Sequence, residues 1–143
     1  MLQFVVGGAI IGTRFLGIDW PGSLKSRLRL PGLAIAAGGA TLFGLGIAGL
    51  GKSLTPLPRP HDRAELRRGG IYRLVRHPVY GGIAVAAFGL SLAESPAGLV
   101  PTGLLGLVFD LKSRREEAWL VERYPEYEAY RAVTVRRFVP WLL

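Results

Sequence analysis

The side chains best suited to do chemistry lie in residues 69–82, which read GGIYRLVRHPVYGG. This stretch combines tyrosines, arginines and His77 immediately before an apolar stretch that begins at Tyr80. Paired glycines at both ends permit sharp turns and a close approach of backbone to a ligand, and Pro78 keeps the residues before it out of a regular helix. A polar, aromatic and irregular segment at the end of an apolar helix is a candidate binding site.

The carboxylate pair Glu116 and Glu117 is the second candidate. It lies within residues 112–123, which contain no glycine or proline and are predicted to be helical. Lys112 and Arg114 stand within one helical turn, so these charges taken alone indicate a solvated helix face with ordinary ion pairs. The pair gains a chemical role only if the fold brings it to another polar segment.

The elements that must position these residues are apolar. Half of the 143 residues are hydrophobic, the mean hydropathy is +0.32, and the chain has no cysteine. This composition is too apolar for an ordinary soluble protein and indicates a single membrane domain over residues 1–143. The lack of cysteine excludes disulfides, thiolate metal sites and a cysteine nucleophile, and no metal site is predicted.

The apolar stretches predict an all-α fold, an integral membrane helical bundle of about four transmembrane helices. The predicted spans are residues 1–20, 31–51, 80–93 and 97–111. The second span is the clearest, because it carries no charge, has Pro31 in its first turn and gives roughly 31 Å of helix. Small residues recur there at every fourth position and predict a face for close helix packing. These residues are Gly32, Ala36, Ala40, Gly44 and Ala48.

The net charge of +8 is concentrated in residues 52–76 and 112–137, between and after the apolar stretches. Basic loops of this kind are typical of the cytoplasmic side of a membrane protein, which we favour over a role in nucleic-acid binding. We therefore predict four spans with both termini in the cytoplasm. The loop 52–79 and the C-terminal helix and tail at 112–143 lie on the same side.

The connection Glu94-Ser95-Pro96 is too short for anything but an antiparallel helical hairpin. A hairpin returns its end to the side on which it began. The helix after the turn is predicted to continue past the membrane and to bring Glu116 and Glu117 back beside His77 and Tyr80. This geometry makes one site of two separated motifs.

Together, the two motifs resemble those of the isoprenylcysteine carboxyl methyltransferase and phospholipid methyltransferase superfamily of integral membrane enzymes. The resemblance covers roughly residues 54–141. It depends on the run Gly-Ile-Tyr-Arg-Leu-Val-Arg-His-Pro-Val-Tyr-Gly, on the later glutamate pair, and on Tyr-Glu-Ala-Tyr at residues 127–130. Agreement of separated motifs in order and spacing makes the resemblance specific.

The resemblance implies methyl transfer from S-adenosylmethionine to a lipophilic acceptor in the membrane, at a site on the cytoplasmic side. It implies cofactor binding by a set of residues in both motifs: Tyr72, His77, Pro78, Val79, Tyr80, Glu116 and Glu117. It also implies that an arginine just before the glutamates acts on the acceptor, and either Arg115 or Arg114 matches. Catalytic roles are predicted for Arg115 and Glu117, with Glu117 or His77 as the base for an acceptor that must lose a proton.

Two other functions remain open from the sequence. One is an NADPH-dependent reductase of a membrane lipid, because sterol reductases are similar in their last helices. The other is a basic membrane protein without enzymatic activity, which binds anionic lipid or a partner through its arginine-rich loops. The acceptor itself, prenylcysteine-like or phospholipid-like, is not specified by the sequence.

Overall fold

The computed structural model describes residues 2–51 and 66–140, and these contain helices and no strand. The helices are α1 (Leu2–Gly12), α2 (Gly22–Leu50), α3 (Pro78–Glu94), α4 (Leu99–Arg123) and α5 (Tyr127–Val133). The prediction of an all-α fold is confirmed. Residues 52–65, which make up half of the predicted cytoplasmic loop, and residues 141–143 lie outside the described part of the chain.

Among the described helices, α2 has both the length and the apolar composition needed to cross a membrane, and α3 is apolar but shorter. The predicted first span is interrupted, because α1 has 11 residues and is followed by a 3₁₀ turn at Thr13–Leu16. Gly17 ends this turn with φ +67°, a left-handed conformation that glycine adopts without strain. An α-helix of this length extends about 16 Å, which is too short to span.

The start of the second predicted span is also different. Helix α2 begins at Gly22, and Pro31 lies inside it rather than in its first turn. Proline inside a helix removes one backbone hydrogen bond. Pro31 and Arg27, four residues earlier, are both exposed, so the missing hydrogen bond lies at an exposed part of the helix.

The chain divides into two compact units, each built from separate stretches of sequence: Met1–Thr41 with Ile83–Phe109, and Leu42–Gly82 with Asp110–Leu143. In the first unit, the predicted close packing is found at Gly32 and Ala36. A Cβ placed on Gly32 would lie 2.7 Å from the backbone of Gly89 and Ala93 in α3. The two helices therefore approach each other through their backbones.

Farther along α2, the predicted face of small residues is wrong, because Ala40, Gly44 and Ala48 are exposed. Steps of four residues turn about 400° in a helix of 3.6 residues per turn, so a strict four-residue series drifts off one face. The buried positions are instead separated by steps of either four or three residues. They are Gly32, Ala36, Gly39, Leu42 and Gly46.

The predicted hairpin between α3 and α4 is present, with a 3₁₀ turn at Pro96–Gly98 in the connection. Ser95 caps this turn by accepting a hydrogen bond from the amide of Ala97 at 3.2 Å. Just inside the hairpin, the hydroxyls of Ser91 and Thr102 are 3.0 Å apart and join the two helices. As predicted, α4 continues without interruption through the glutamate pair to Arg123.

Candidate functional site

A buried ionic cluster in the second unit joins the two motifs. Glu117 Oε1 accepts hydrogen bonds from Arg76 Nε at 2.9 Å and from His77 Nε2 at 3.0 Å. Arg137 adds a second guanidinium group, with its Nε 3.6 Å from the same oxygen. The predicted meeting of the glutamate pair with His77 is therefore confirmed, and it is made through Oε1 of Glu117.

The segment after α5 is held against the motif loop by Arg76. Its guanidinium NH1 donates to the carbonyls of Thr134 and Val135 at 2.6 and 2.7 Å. The backbone amides of Arg76 and His77 donate to the carbonyls of Arg136 and Arg137. Arg76 therefore connects the carboxylate of α4 to the C-terminal segment through one side chain.

A second polar pair lies beside this cluster and is partly open to solvent. Tyr80 donates its hydroxyl to Glu116 Oε2 at 2.9 Å, and the Glu116 side chain is 26% exposed. The ring of Tyr80 stacks on His77 at 5.7 Å, and Lys112 Nζ lies 4.9 Å from its centroid. The predicted contact between Tyr80 and the glutamate pair is thus made through Glu116.

Three other predicted cofactor residues lie against α2. Tyr72 is buried and its hydroxyl donates to the carbonyl of Gly46 at 3.2 Å. A Cβ built on Gly46 would lie 2.9 Å from Val79 Cγ2 and 3.2 Å from Pro78 Cγ. The absence of a side chain at Gly46 thus lets α2 approach the start of α3. These side chains fix the position of His77 and Tyr80.

The two arginines before the glutamates have different surroundings. Arg114 Nε donates to Asp110 Oδ2 at 2.7 Å across one helical turn. Arg115 is exposed to solvent. Its side chain leaves the helix in a different direction from that of Arg114, because adjacent helical positions are about 100° apart.

The charges around Glu117 decide its protonation. Burial acts to raise the pKa of this carboxyl, but the hydrogen bonds and positive charges of His77 and Arg76 outweigh burial and lower the pKa to about 2. Glu117 is therefore ionised throughout the physiological range. A carboxylate with so low a pKa is a weak base.

This lowered pKa predicts an acid-labile cluster. A group whose pKa is depressed by folding contributes stability above its unfolded pKa and loses it as the pH falls through its folded pKa. For Glu117 the loss is expected between its ordinary value of 4.5 and about 2. Thermal unfolding of the wild type and of Glu117→Gln should therefore converge as the pH is lowered from 5 to 2. A stability difference that stays constant over this range would contradict the ionised cluster.

Several residues of the site were not predicted. Arg76 stands in the first motif, and its place next to His77 was the one available signal. Arg137 has no sequence signal, yet it donates to Asp110 Oδ1 at 2.7 Å and to Ser113 Oγ at 2.9 Å. Tyr130 belongs to the Tyr-Glu-Ala-Tyr motif, which by itself predicts no contact, and its hydroxyl donates to the carbonyl of Tyr72 at 2.6 Å.

Comparison with known proteins agrees with these motifs. The model of the phospholipid methyltransferase family matches residues 28–127, a region that contains both the His-Pro-x-Tyr run and the glutamate pair. A search of curated proteins finds no match. The described residues are helical, and the His-Pro-x-Tyr run and the glutamate pair meet in one polar site. The matched region spans most of the chain. The protein therefore belongs to the phospholipid methyltransferase family, whose members are associated with membranes.

Proposed function

We propose that this protein transfers a methyl group from S-adenosylmethionine to a lipophilic acceptor that reaches the site from the membrane. The observation that carries the proposal is the convergence of Tyr80 with Glu116 and of His77 with Glu117. S-adenosylmethionine would supply a methyl group bonded to a sulfonium sulfur. The methyl group passes to the acceptor, and the sulfur keeps the electron pair of the broken bond and becomes a neutral thioether. The acceptor is a phospholipid or a prenylcysteine-like carboxylate.

The side chains at the site suit such a cofactor. Glu116 receives one hydrogen bond from Tyr80, and a carboxylate has about four acceptor positions, so it can also bind an ammonium group or ribose hydroxyls. The aromatic face of Tyr80 already lies near the Lys112 ammonium, which indicates an environment that favours a cation. The buried Nε of Arg137 has no hydrogen-bond partner among the described residues, and it lies 3.6 Å from Glu117 Oε1, so it belongs to the ionic cluster beside the site.

The two glutamates then have different roles. Glu116 is the carboxylate that a ligand can reach, whereas Glu117 holds Arg76 and His77 in place. This assignment replaces the expectation that Glu117 acts as a base. If the acceptor is an amine that must lose a proton, His77 is the remaining candidate for the base, through Nδ1, the ring nitrogen that is not bonded to Glu117.

Water exclusion and positioning provide the remaining contribution to catalysis. A displacement at the methyl carbon requires the attacking atom in line with the sulfur. Arg115 is exposed beside the glutamates and suits an anionic group on the acceptor, with two parallel donors that fix its orientation. Arg114, which pairs with Asp110, is the alternative.

The proposal is tested by the affinity of purified protein for S-adenosylhomocysteine, measured by calorimetry in detergent. Glu116→Gln should weaken binding by about 1–3 kcal/mol, because a charge-assisted hydrogen bond is lost. Glu122→Gln is the matched control, since Glu122 is an exposed glutamate on the same helix. Equal affinities in these two variants would refute the cofactor site, and tight binding of NADPH in place of S-adenosylhomocysteine would favour a reductase.

The same variants separate cofactor binding from transfer. Arg115→Ala should leave affinity for S-adenosylhomocysteine nearly unchanged and lower transfer of labelled methyl groups into extracted lipid by at least about tenfold. Arg115→Lys restoring full transfer would indicate an interfacial anchor instead. Mass spectrometry of the labelled lipid would then identify the acceptor.

A further inference from the structure

The surface of the C-terminal segment carries a second, separate feature. A small open depression lies where residues 73–74 run beside residues 133–136. Polar and apolar groups both line it, and its exposed apolar side chains are Leu74, Val135 and Val133, which are 45%, 62% and 85% exposed. Its charged residues are Arg73 and Arg136, and both are exposed.

This depression faces away from the ionic cluster. Along the same segment, the Arg137 side chain points inward to Asp110 and Ser113, whereas the Arg136 side chain is exposed. The two arginines of the first motif also differ in exposure: Arg76 is buried against Glu117, whereas Arg73 is exposed. The charged side chains of the depression are therefore not those of the ionic cluster.

The backbone beneath the depression is fixed. Arg76 binds the carbonyls of Thr134 and Val135, and the Thr134 hydroxyl lies 3.5 Å from the carbonyl of Arg73. Among the described residues, no acidic side chain forms an ion pair with Arg73 or Arg136. The guanidinium groups of Arg73 and Arg136 are thus exposed on a segment whose backbone is held by hydrogen bonds, and they have no acidic partner in the described part of the chain.

The geometry points to a binding site for the headgroup of an anionic phospholipid, outside the site of methyl transfer. Guanidinium groups match the oxygens of a phosphate, and a basic surface next to a membrane attracts anionic lipid. The exposed valines and Leu74 suit the apolar part of the same lipid at the interface, since such side chains are otherwise costly to leave in water. A zwitterionic lipid fits less well, because its own cation would face the two arginines.

Binding of dioctanoyl phosphatidylglycerol to the detergent-solubilised full chain tests the inference, with dioctanoyl phosphatidylcholine and inorganic phosphate as comparisons. The wild type should bind phosphatidylglycerol saturably and more tightly than either comparison. Arg73→Gln combined with Arg136→Gln should weaken this binding at least about tenfold. The matched control is Arg27→Gln with Arg29→Gln, which removes two exposed charges elsewhere and should keep the affinity.

Equal affinity in the two double variants would overturn the site, as would inorganic phosphate binding as tightly as the lipid. Should the first double variant fail to fold, Val133→Ser serves in its place, because this side chain is 85% exposed and makes little contribution to the core. It should weaken binding of the lipid and leave binding of phosphate unchanged. An unchanged affinity for the lipid in Val133→Ser would contradict a contact between this exposed apolar side chain and the lipid.

Discussion

Arg76→Gln is expected to lower the free energy of unfolding by about 3–5 kcal/mol, because it leaves the Glu117 charge buried with too few partners. The two side chains are only 6% and 9% exposed, so water cannot replace the lost guanidinium. The variant also loses the hydrogen bonds to Thr134 and Val135. Thermal or denaturant unfolding followed by circular dichroism in detergent measures the change.

A matched control and a double variant make this result specific. Arg131→Gln removes an exposed arginine whose ion pair with Glu128 is 3.9 Å long, and it should change stability by less than about 1 kcal/mol. Combining Arg76→Gln with Glu117→Gln should recover part of the loss, since the unpaired buried charge is then removed. Strictly additive losses in the double variant would mean that Arg76 acts only through the C-terminal carbonyls.

Gly81→Ala is expected to cost about 1–3 kcal/mol, which is the usual range for forcing extra volume into a packed site. A Cβ on Gly81 would overlap the backbone carbonyl of Phe138, and a backbone cannot yield as a flexible side chain does. The displaced segment includes Arg137, so methyl transfer should fall together with stability. Thermal unfolding and labelled methyl transfer measure the two effects.

Gly44→Ala provides the control for this substitution. Gly44 also lies in a helix and in the same unit, but a Cβ there would meet nothing within 4 Å. Alanine in such a position should be neutral or stabilising by about 0.5–1 kcal/mol, because it has the higher helix propensity. If Gly81→Ala were as stable as Gly44→Ala, the C-terminal segment would not be packed against the start of α3.

The sequence by itself determined the helical class, the hairpin between α3 and α4, and the return of the glutamate pair to His77 and Tyr80. These features depend on local periodicity and on a short connection, which leave few alternatives. The sequence determined the small-residue packing only near Gly32 and Ala36. A four-residue pattern is a valid guide over one or two turns and loses its direction over four.

Only the tertiary structure decided how the two adjacent glutamates differ. Glu116 and Glu117 are equivalent in the sequence, but neighbouring helical positions point about 100° apart. One carboxylate is therefore partly open beside Tyr80, and the other is enclosed by Arg76, His77 and Arg137. The partners of Glu117 come from segments far apart in the chain, and no local pattern specifies which arginine will meet a buried charge. Long-range packing of the C-terminal segment makes that choice, because it is what brings Arg137 inward and leaves Arg136 outside.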